Sequence, residues 1–421
     1  MGERPYRTLP PLSLHPNLWP SSVRCSPVSG IQRELPVPTA DERTHSEHLI
    51  DRIRDEIDAS NGWISFERYM ELALYEPGLG YYSAGARKLG PAGDFVTAPE
   101  ISPLFGHTLA AQCDEVLSTL GAGEILEFGA GTGVMAADLL EELAQRDRLP
   151  RRYRILEVSA ELRARQQATL IERFGPSVLR QVEWLDALPE GFEGVVLANE
   201  LLDAFPVERF RIREGSVNAL GVTWQLGRLD WSEVRADPRL SAAVAAIEYS
   251  LGERLPDGYT SEWSPRLAPW VRALSTALER GAVLLIDYGL PRAQYYRPER
   301  REGTLLCHFR HRFHDDPFVF PGLQDIGAWV DFTAVAEAAV TAGFAVAGFS
   351  TQAHFLIGNG IERLLARLQA QDLEARLQVA RQAMVLTLPG EMGERFKVIG
   401  LTKGYDAPLS GFSVRDLAAT L

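Results

Sequence analysis

Cysteine is scarce in this chain. Only Cys25, Cys113 and Cys307 occur in 421 residues; they are widely spaced and form no CxxC pair. That pattern argues against a disulfide framework and a cysteine zinc site, and it fits a reducing compartment. Long apolar runs are missing too, and none reaches the ~18 residues of a membrane span. The nearest candidate, Ala334 to Phe349, carries Glu337 and breaks at Gly343, so it reads as a core helix followed by a strand. Positive charge is in deficit: 43 Lys and Arg face 56 Asp and Glu, for a net charge of -13. Such a chain repels a phosphate backbone, which argues against a general nucleic-acid binder, and it favours a basic substrate or partner. The 46% apolar and 24% charged fractions are those of an ordinary globular protein. The length implies one large elaborated domain or two or three smaller units.

Residues 1–40 stand apart. Pro5, Pro10, Pro11, Pro16, Pro20, Pro27, Pro36 and Pro38 interrupt them, and no amphipathic period shows. They read as a flexible Pro-rich tail. Arg4, Arg7 and Arg24 allow a transit peptide, but the prolines oppose its amphipathic helix, and no secretory apolar core is present. An over-assigned start site is the preferred explanation.

From residue 41 the pattern becomes regular. A helix is expected from an N-cap at Thr44 or Ser46, with Leu49, Ile50, Ile53 and Ile57 at helical spacing and Asn61-Gly62 as its stop. Ser65 to Leu74 and Ser102 to Leu120 are also expected to be helical. Between them, Tyr81 to Gly106 is rich in glycine and proline with interspersed charges, which suggests an ordered functional loop. Residues 41–120 thus form an N-terminal helical region with a cofactor or substrate loop. From Glu124, short apolar strands alternate with helices: 124–129, 153–158, 182–185, 194–200, 282–289, 345–350 and 396–404. That alternation predicts an α/β fold, a Rossmann-like, parallel, doubly wound sheet that binds ligands at the strands' carboxyl ends. The core spans 121–404, with insertions at about 205–280 and 290–330 at the ligand end, and 405–421 is a C-terminal tail.

EILEFGAGTGV (124–134) holds the first chemical signal. Gly129, Gly131 and Gly133 permit positive φ and a close approach of backbone to ligand, and the next helix turns its free N–H groups toward that ligand. The dinucleotide fingerprint is GxGxxG; here Val134 stands where its third glycine falls, which suits a nucleoside without a pyrophosphate. Glu157, about 24 positions past Gly133 at the end of the next strand, suits ribose hydroxyls. Asp186, after the third strand, suits an adenine amino group. Glu127 suits an amino-acid ammonium group. All the ligand groups these acids would meet are donors, as S-adenosyl-L-methionine supplies. Solvated acids beside a plain βα turn are the bland alternative.

VLANELLDAFP (196–206) lies at the fourth strand's end, with Asn199, Glu200 and Asp203 placed at the expected N-terminus of a helix. Methyl transfer needs in-line positioning and an available lone pair. Two carboxylates can grip a guanidinium, whose ordinary pKa is about 12.5–13.8, and stabilise charge as the C–N bond forms. Simple complementation of a helix dipole competes with that reading. Asp287 and Tyr288 end the IDYG strand and either line the pocket or terminate the strand. His308, His311 and His314 beside Asp315 and Asp316 match no standard zinc spacing, so no metal is assigned and a substrate-gripping or structural loop is expected.

Several stretches together resemble one family, the MidA-like methyltransferases, which include a mitochondrial complex I assembly factor that methylates a protein arginine. They are ISFERYMELALYEPGLGYY (64–82), GDFVTAPEISPLFG (93–106), LEFGAGTG (126–133), LANELLDAFPV (197–207), LLIDYG (284–289), GTLLCHFRHRFHDDPF (303–318), PGLQDIGAWVDF (321–332) and GERFKVIGLTKG (393–404). The resemblance covers about residues 45–404. It implies a class I fold using S-adenosyl-L-methionine and a protein arginine as acceptor. Its residues here are Asn199, Glu200 and Asp203 for catalysis, Gly93 and Asp94 with the glycine turn, Glu127, Glu157 and Asp186 for the cofactor, and Glu100, Asp287, Tyr288, His311 and Asp325 for the acceptor. A bacterial member would be cytoplasmic and a eukaryotic one would lie in the mitochondrial matrix; a homodimer is allowed. One departure stands out: the usual DITAHVDF reads DIGAWVDF, with Gly327 for threonine and Trp329 for histidine.

Two other readings compete. A nicotinamide-dependent oxidoreductase shares the fold but needs a glycine where Val134 stands. An assembly chaperone would keep the cofactor as a structural ligand and use the insertions as a partner surface. The GDFVTAPEIS loop, flanked by Gly90 and Gly93, is the candidate lid.

Overall fold

The computed structural model describes residues 35–84, 97–368 and 373–421. Gly90, Gly93 and Asp94, and with them most of the candidate lid, fall outside those residues.

Seven strands build the main sheet: Glu124–Phe128 (β1), Tyr153–Leu156 (β2), Val182–Leu185 (β3), Phe192–Asn199 (β4), Leu278–Leu290 (β5), Ala345–Thr351 (β6) and Phe396–Lys403 (β7). Their order is β3-β2-β1-β4-β5-β7-β6, and a short eighth strand, Val330–Asp331, joins the end of β5. The five from β3 to β5 run parallel. Here the fold departs from the parallel sheet expected, because β7 runs antiparallel to both β5 and β6. Apolar periodicity marks a strand but carries no sign of its direction.

Strands buried on both faces read as continuous apolar runs, as β4 does. Val195 and Leu197 pack toward helices Pro103–Leu120 and Val134–Gln145, while Val196 and Ala198 face the layer that contains Leu267–Ala277 and Phe332–Thr341. The result is a sheet between two helical layers, which leaves its carboxyl ends as the open edge.

The chain after β4 and β5 is elaborated at that edge. Strands Glu208–Arg213, Ser216–Gln225, Arg228–Arg235 and Thr260–Trp263 form a second, antiparallel sheet, which Ile64–Ser65 from the N-terminal region joins. A third sheet pairs Leu306–Phe309 with Arg312–His314 and Asp325–Gly327. One core binds these pieces: Leu49, Ile53, Phe66, Tyr69 and Met70 from the N-terminal helices pack with Val207, Val222, Cys307 and Ile326.

The first helix, Ala40–Ala59, begins earlier than expected. Thr39 caps it, reciprocally with Glu42, a capping box that satisfies two backbone donors at once. Residues 405–421 pack back on the protein: Leu409 and Phe412 enter the main core, and Phe349 of β6 exchanges hydrogen bonds with Asp416 and Leu417.

Candidate active site

The glycine turn leaves β1 in a conformation that side chains disfavour. Gly129, Gly131 and Gly133 have φ of 60°, 54° and 82°. A Cβ on Gly133 would stand 3.0 Å from the Gln166 backbone. The helix that follows starts at Val134, two residues later than expected, because Gly133 in the left-handed region is its N-cap.

Gln166 organises this end and was not singled out in the sequence. Fully buried, it donates to the Gly131 carbonyl (3.1 Å) and to Glu157 (3.2 Å) and accepts from the Trp184 indole (2.8 Å). It therefore fixes the glycine turn, the end of β2 and β3 relative to one another. Glu157 also accepts from the Ser159 amide, and burial raises its carboxyl above the ordinary value. Beside it Val158 is 77% exposed, an apolar side chain left open to solvent next to a buried acid. Asp186 sits at the open rim, paired with Arg163 at 2.6 Å, and Arg163 also holds the Glu157 carbonyl. Glu127 is placed differently from the others. It is buried, accepts from the Tyr153 hydroxyl at 2.5 Å, and burial pushes its carboxyl up to about 7.

β4 neighbours β1 in register, with Ala198 opposite Phe128, so the acceptor-end residues begin one strand away from the glycine turn. The expected helix at 200–206 is not there; the segment is a tight, irregular loop. Glu200 takes φ of 51°, and its amide still pairs with the Ile286 carbonyl of β5 (2.9 Å). The next three amides, of Leu201, Leu202 and Asp203, all donate to one oxygen of Asp287, at 3.1, 2.8 and 3.3 Å. The other Asp287 oxygen accepts from the Tyr288 amide (2.8 Å). Both oxygens are thus engaged by backbone, which makes Asp287 the anchor of the loop. The Tyr75 hydroxyl holds the Ala204 carbonyl, and the Ala328 amide holds that of Asp203.

That loop gathers carboxylates. Burial first, then Asp287, drives Glu200 up to about 8, while the Asn199 amide opposes the shift. Burial, then Asp287, Asp325 and Glu200, raises Asp203 well above the ordinary aspartate. Asp325 accepts from the Tyr82 hydroxyl at 2.9 Å, and Tyr82 stacks on Tyr75 with centroids 5.5 Å apart. Burial, then Glu200, Asp203 and Asp287, raises the Tyr288 hydroxyl well above its ordinary value. Asn199 donates to Glu200 (3.1 Å), and its buried Oδ1 has no hydrogen-bond partner among the described residues.

The structure therefore brings together Asn199, Glu200, Asp203, Asp287, Tyr288 and Asp325. Two expected acceptor residues lie elsewhere. Glu100 accepts from the Thr132 hydroxyl and so joins the glycine turn. His311 is exposed at the tip of the hairpin between Leu306–Phe309 and Arg312–His314, where Arg310 and His311 both have positive φ. Tyr75 and Tyr82 were quoted only within a longer stretch; their aromatic spacing was visible, but their approach to Asp325 was not. Gly327 borders the cluster, since a Cβ there would lie 3.5 Å from Asp203. Trp329 faces away into a cavity of about 50 Å³ with Leu202, Tyr295 and Tyr296, and Arg300 lies over its ring at 5.4 Å.

A bare, positive-φ turn, a buried acid at the end of the next strand and an exposed apolar residue beside it fit an adenosine-bearing sulfonium. Comparison with known proteins agrees. The sequence profile of Methyltransf_28, described as S-adenosyl-L-methionine-dependent methyltransferase, matches residues 108–350. The mitochondrial protein arginine methyltransferase NDUFAF7 homolog of Drosophila melanogaster is 29% identical over 89% of this chain and 91% of its own. Its Mus musculus counterpart is 30% identical over 84% and 83%. A COG1565 superfamily protein from Burkholderia thailandensis, crystallised with S-adenosyl-homocysteine, is 44% identical with a TM-score of 0.88, covering 92% of this chain and all of that one. S-adenosyl-L-methionine is accordingly the cofactor, and the nicotinamide alternative falls away. Among the described residues no helix is long and apolar enough to cross a membrane.

Proposed function

The chain belongs to the MidA-like family of S-adenosyl-L-methionine-dependent methyltransferases, and from that premise we propose that its acceptor is an arginine side chain of a partner protein. The observation that carries the reading is the acceptor-rich cluster one strand from the glycine turn. A guanidinium has five N–H donors and no acceptor. Glu200, Asp203 and the unpartnered Asn199 Oδ1 offer it acceptors, and the charges weighing most on Glu200 and Asp203 are other carboxylates. The rings of Tyr75, Tyr82 and Tyr288 suit a planar cation.

A cationic acceptor entering the pocket would draw protons off Glu200 and Asp203. Paired carboxylates then orient one guanidinium nitrogen toward the methyl group and hold the charge that grows as the C–N bond forms. Glu200 is the group assigned that role, with Asp203 beside it and Asn199 orienting both. Glu127, Glu157 and Asp186 serve the amino-acid, ribose and adenine parts of the cofactor, with Gly93 and Asp94 added by the family resemblance. The partner is of the kind met in respiratory complex I assembly. That setting rests on the family resemblance alone; the names of the relatives give a mitochondrial protein arginine methyltransferase.

The test is labelled methyl transfer into the proteome of cells lacking this protein, followed by mass spectrometry of the labelled peptide. Methylarginine formed by the wild type and not by Glu200→Gln is the expected result. Label on lysine or on a carboxylate would sink the assignment of acceptor. No label, with cofactor bound, would favour an assembly chaperone.

A further inference from the structure

Behind the glycine turn lies a cluster that methyl transfer does not use. His107 comes from helix Pro103–Leu120, and Asp138 and Glu141, one turn apart, come from helix Val134–Gln145. One ligand atom from each lies within 4.8 Å of the other two. His107 is 5% exposed and Asp138 is 0% exposed. The His107 Nε2 and the Asp138 Oδ2 are both buried without a hydrogen-bond partner among the described residues. Buried polar atoms of this kind are costly to leave unmet, and here two of them belong to one cluster.

The packing is built to permit this. A Cβ on Gly106 would come within 2.6 Å of the Asp138 Cβ, so only glycine beside His107 lets the two helices approach so closely. Arg173 already holds the Asp138 Oδ1 at 3.1 Å and Glu141 at 2.7 Å. It leaves the second Asp138 oxygen open, and one guanidinium does not neutralise two carboxylates. The His107 Nε2 stands 3.7 Å from Glu141, too far for a hydrogen bond.

We propose that His107, Asp138 and Glu141 form a divalent-metal site, with Arg173 retained on the Asp138 Oδ1 and yielding the Glu141 Oε2, the oxygen that faces His107. One imidazole nitrogen and two carboxylates suit Mn²⁺, Fe²⁺ or Zn²⁺. The sequence offers only the widely spaced cysteines and the histidine run at 308–314 as metal candidates, and neither has a standard ligand spacing. His107, Asp138 and Glu141 come together through helix packing, which no local spacing displays. A metal here would clamp the helix that begins at the glycine turn to the helix that follows the 98–101 segment. Its role would be structural support of the cofactor end, and the ion would take no part in the chemistry.

The experiment is titration of metal-stripped full-length protein with MnCl₂ or ZnCl₂, read by calorimetry, by the Mn²⁺ paramagnetic resonance signal and by melting temperature. The expected result is one ion per chain and a melting temperature higher by at least about 2 °C. Binding should weaken by more than about tenfold in His107→Gln and Asp138→Asn. Glu141→Gln, at a partly exposed position, guards against a folding defect and should weaken binding too. Arg173→Gln removes the competing cation and should bind the ion more tightly. Equal ion binding by wild type and Asp138→Asn, or no metal-dependent rise in melting temperature, would overturn the proposal and leave a buried ion-pair network centred on Arg173.

Discussion

The Asp287 carboxylate accepts from the Leu202 amide at 2.8 Å, at the centre of three consecutive amides aimed at one oxygen. A carboxyl on β5 thus holds the loop after β4, a bond across 85 positions of sequence. Asp287→Ala would orphan those donors. We expect it to destabilise the protein by about 1–3 kcal/mol and to lower methyl transfer more than cofactor binding. Asp287→Asn keeps an acceptor oxygen and removes a charge from beside Glu200. Its NH2 must then face the Tyr288 amide, so it should lose some stability, though less than Asp287→Ala, and shift the acid limb of the pH–rate profile to lower pH. Denaturant melts and pH profiles of the two variants check this, and an unshifted limb in the asparagine variant would count against it.

Glu200 gives opposite pH trends for stability and activity. Its carboxyl lies near 8 in place of the ordinary 4.5, so the fold favours the protonated form. That contribution to stability is complete below about 4.5 and is lost as pH rises through 8. The proposed grip on a guanidinium requires the ionised form, so kcat/KM should climb over the same interval. Glu200→Gln should make melting temperature less dependent on pH between 5 and 8 and reduce turnover by about 10²–10³. Thermal scans across pH on both proteins decide the first claim, and single-turnover rates the second.

The contact between Glu100 and Thr132 ties the 98–101 segment to the cofactor turn. The same segment reaches the loop at 200–206, since the Ala98 amide donates to Glu200. Thr132→Val removes the hydroxyl and keeps the shape. We expect cofactor affinity to fall by about fivefold to tenfold, as for loss of one charged hydrogen bond. The pH dependence of turnover should move as well, because Glu200 shares the segment. Calorimetric titration with S-adenosyl-L-methionine reads the first effect; unchanged affinity would mean that the contact is incidental.

Gln166 should prove as sensitive as the glycines it supports. Gln166→Leu leaves the Trp184 indole without its acceptor and frees the Gly131 carbonyl and Glu157. Cofactor binding should weaken at least about tenfold with modest loss of fold stability. Gly133→Ala meets both a φ of 82° and the Gln166 backbone at 3.0 Å, and should cost about 1–3 kcal/mol. Paired titrations and melts separate these outcomes.

How much of this was legible depends on where the governing contacts lie. The turn at Gly129, Gly131 and Gly133 is a local backbone requirement, and glycine announces it. Glu157 and Asp186 could be placed at strand ends because those ends can be counted from apolar runs. The loop at 200–206 was mistaken for a helix because its amides are satisfied by Asp287, whereas local pattern suggested the ordinary i→i+4 partners. Gln166 passed unnoticed because a glutamine on a helix is ordinary until the tertiary fold surrounds it. Glu100 went to the acceptor in the sequence reading and to the glycine turn in the structure, a choice made by packing between segments about 30 residues apart. The start of the first helix was missed for a smaller reason: Thr39 lies among prolines, and its capping box with Glu42 was overlooked.

The final segment, 405–421, has a practical consequence. β6 is the outermost strand of the main sheet, and an uncovered outer strand is a template for aggregation. Phe349 meets Asp416 and Leu417, and the Ser350 hydroxyl donates to the Arg415 carbonyl. Shortening the protein before Leu409 would bare that strand and remove Phe412 from beneath it. Preparations trimmed there should precipitate on concentration even if their catalytic groups are intact, so affinity handles belong at the other end of the chain.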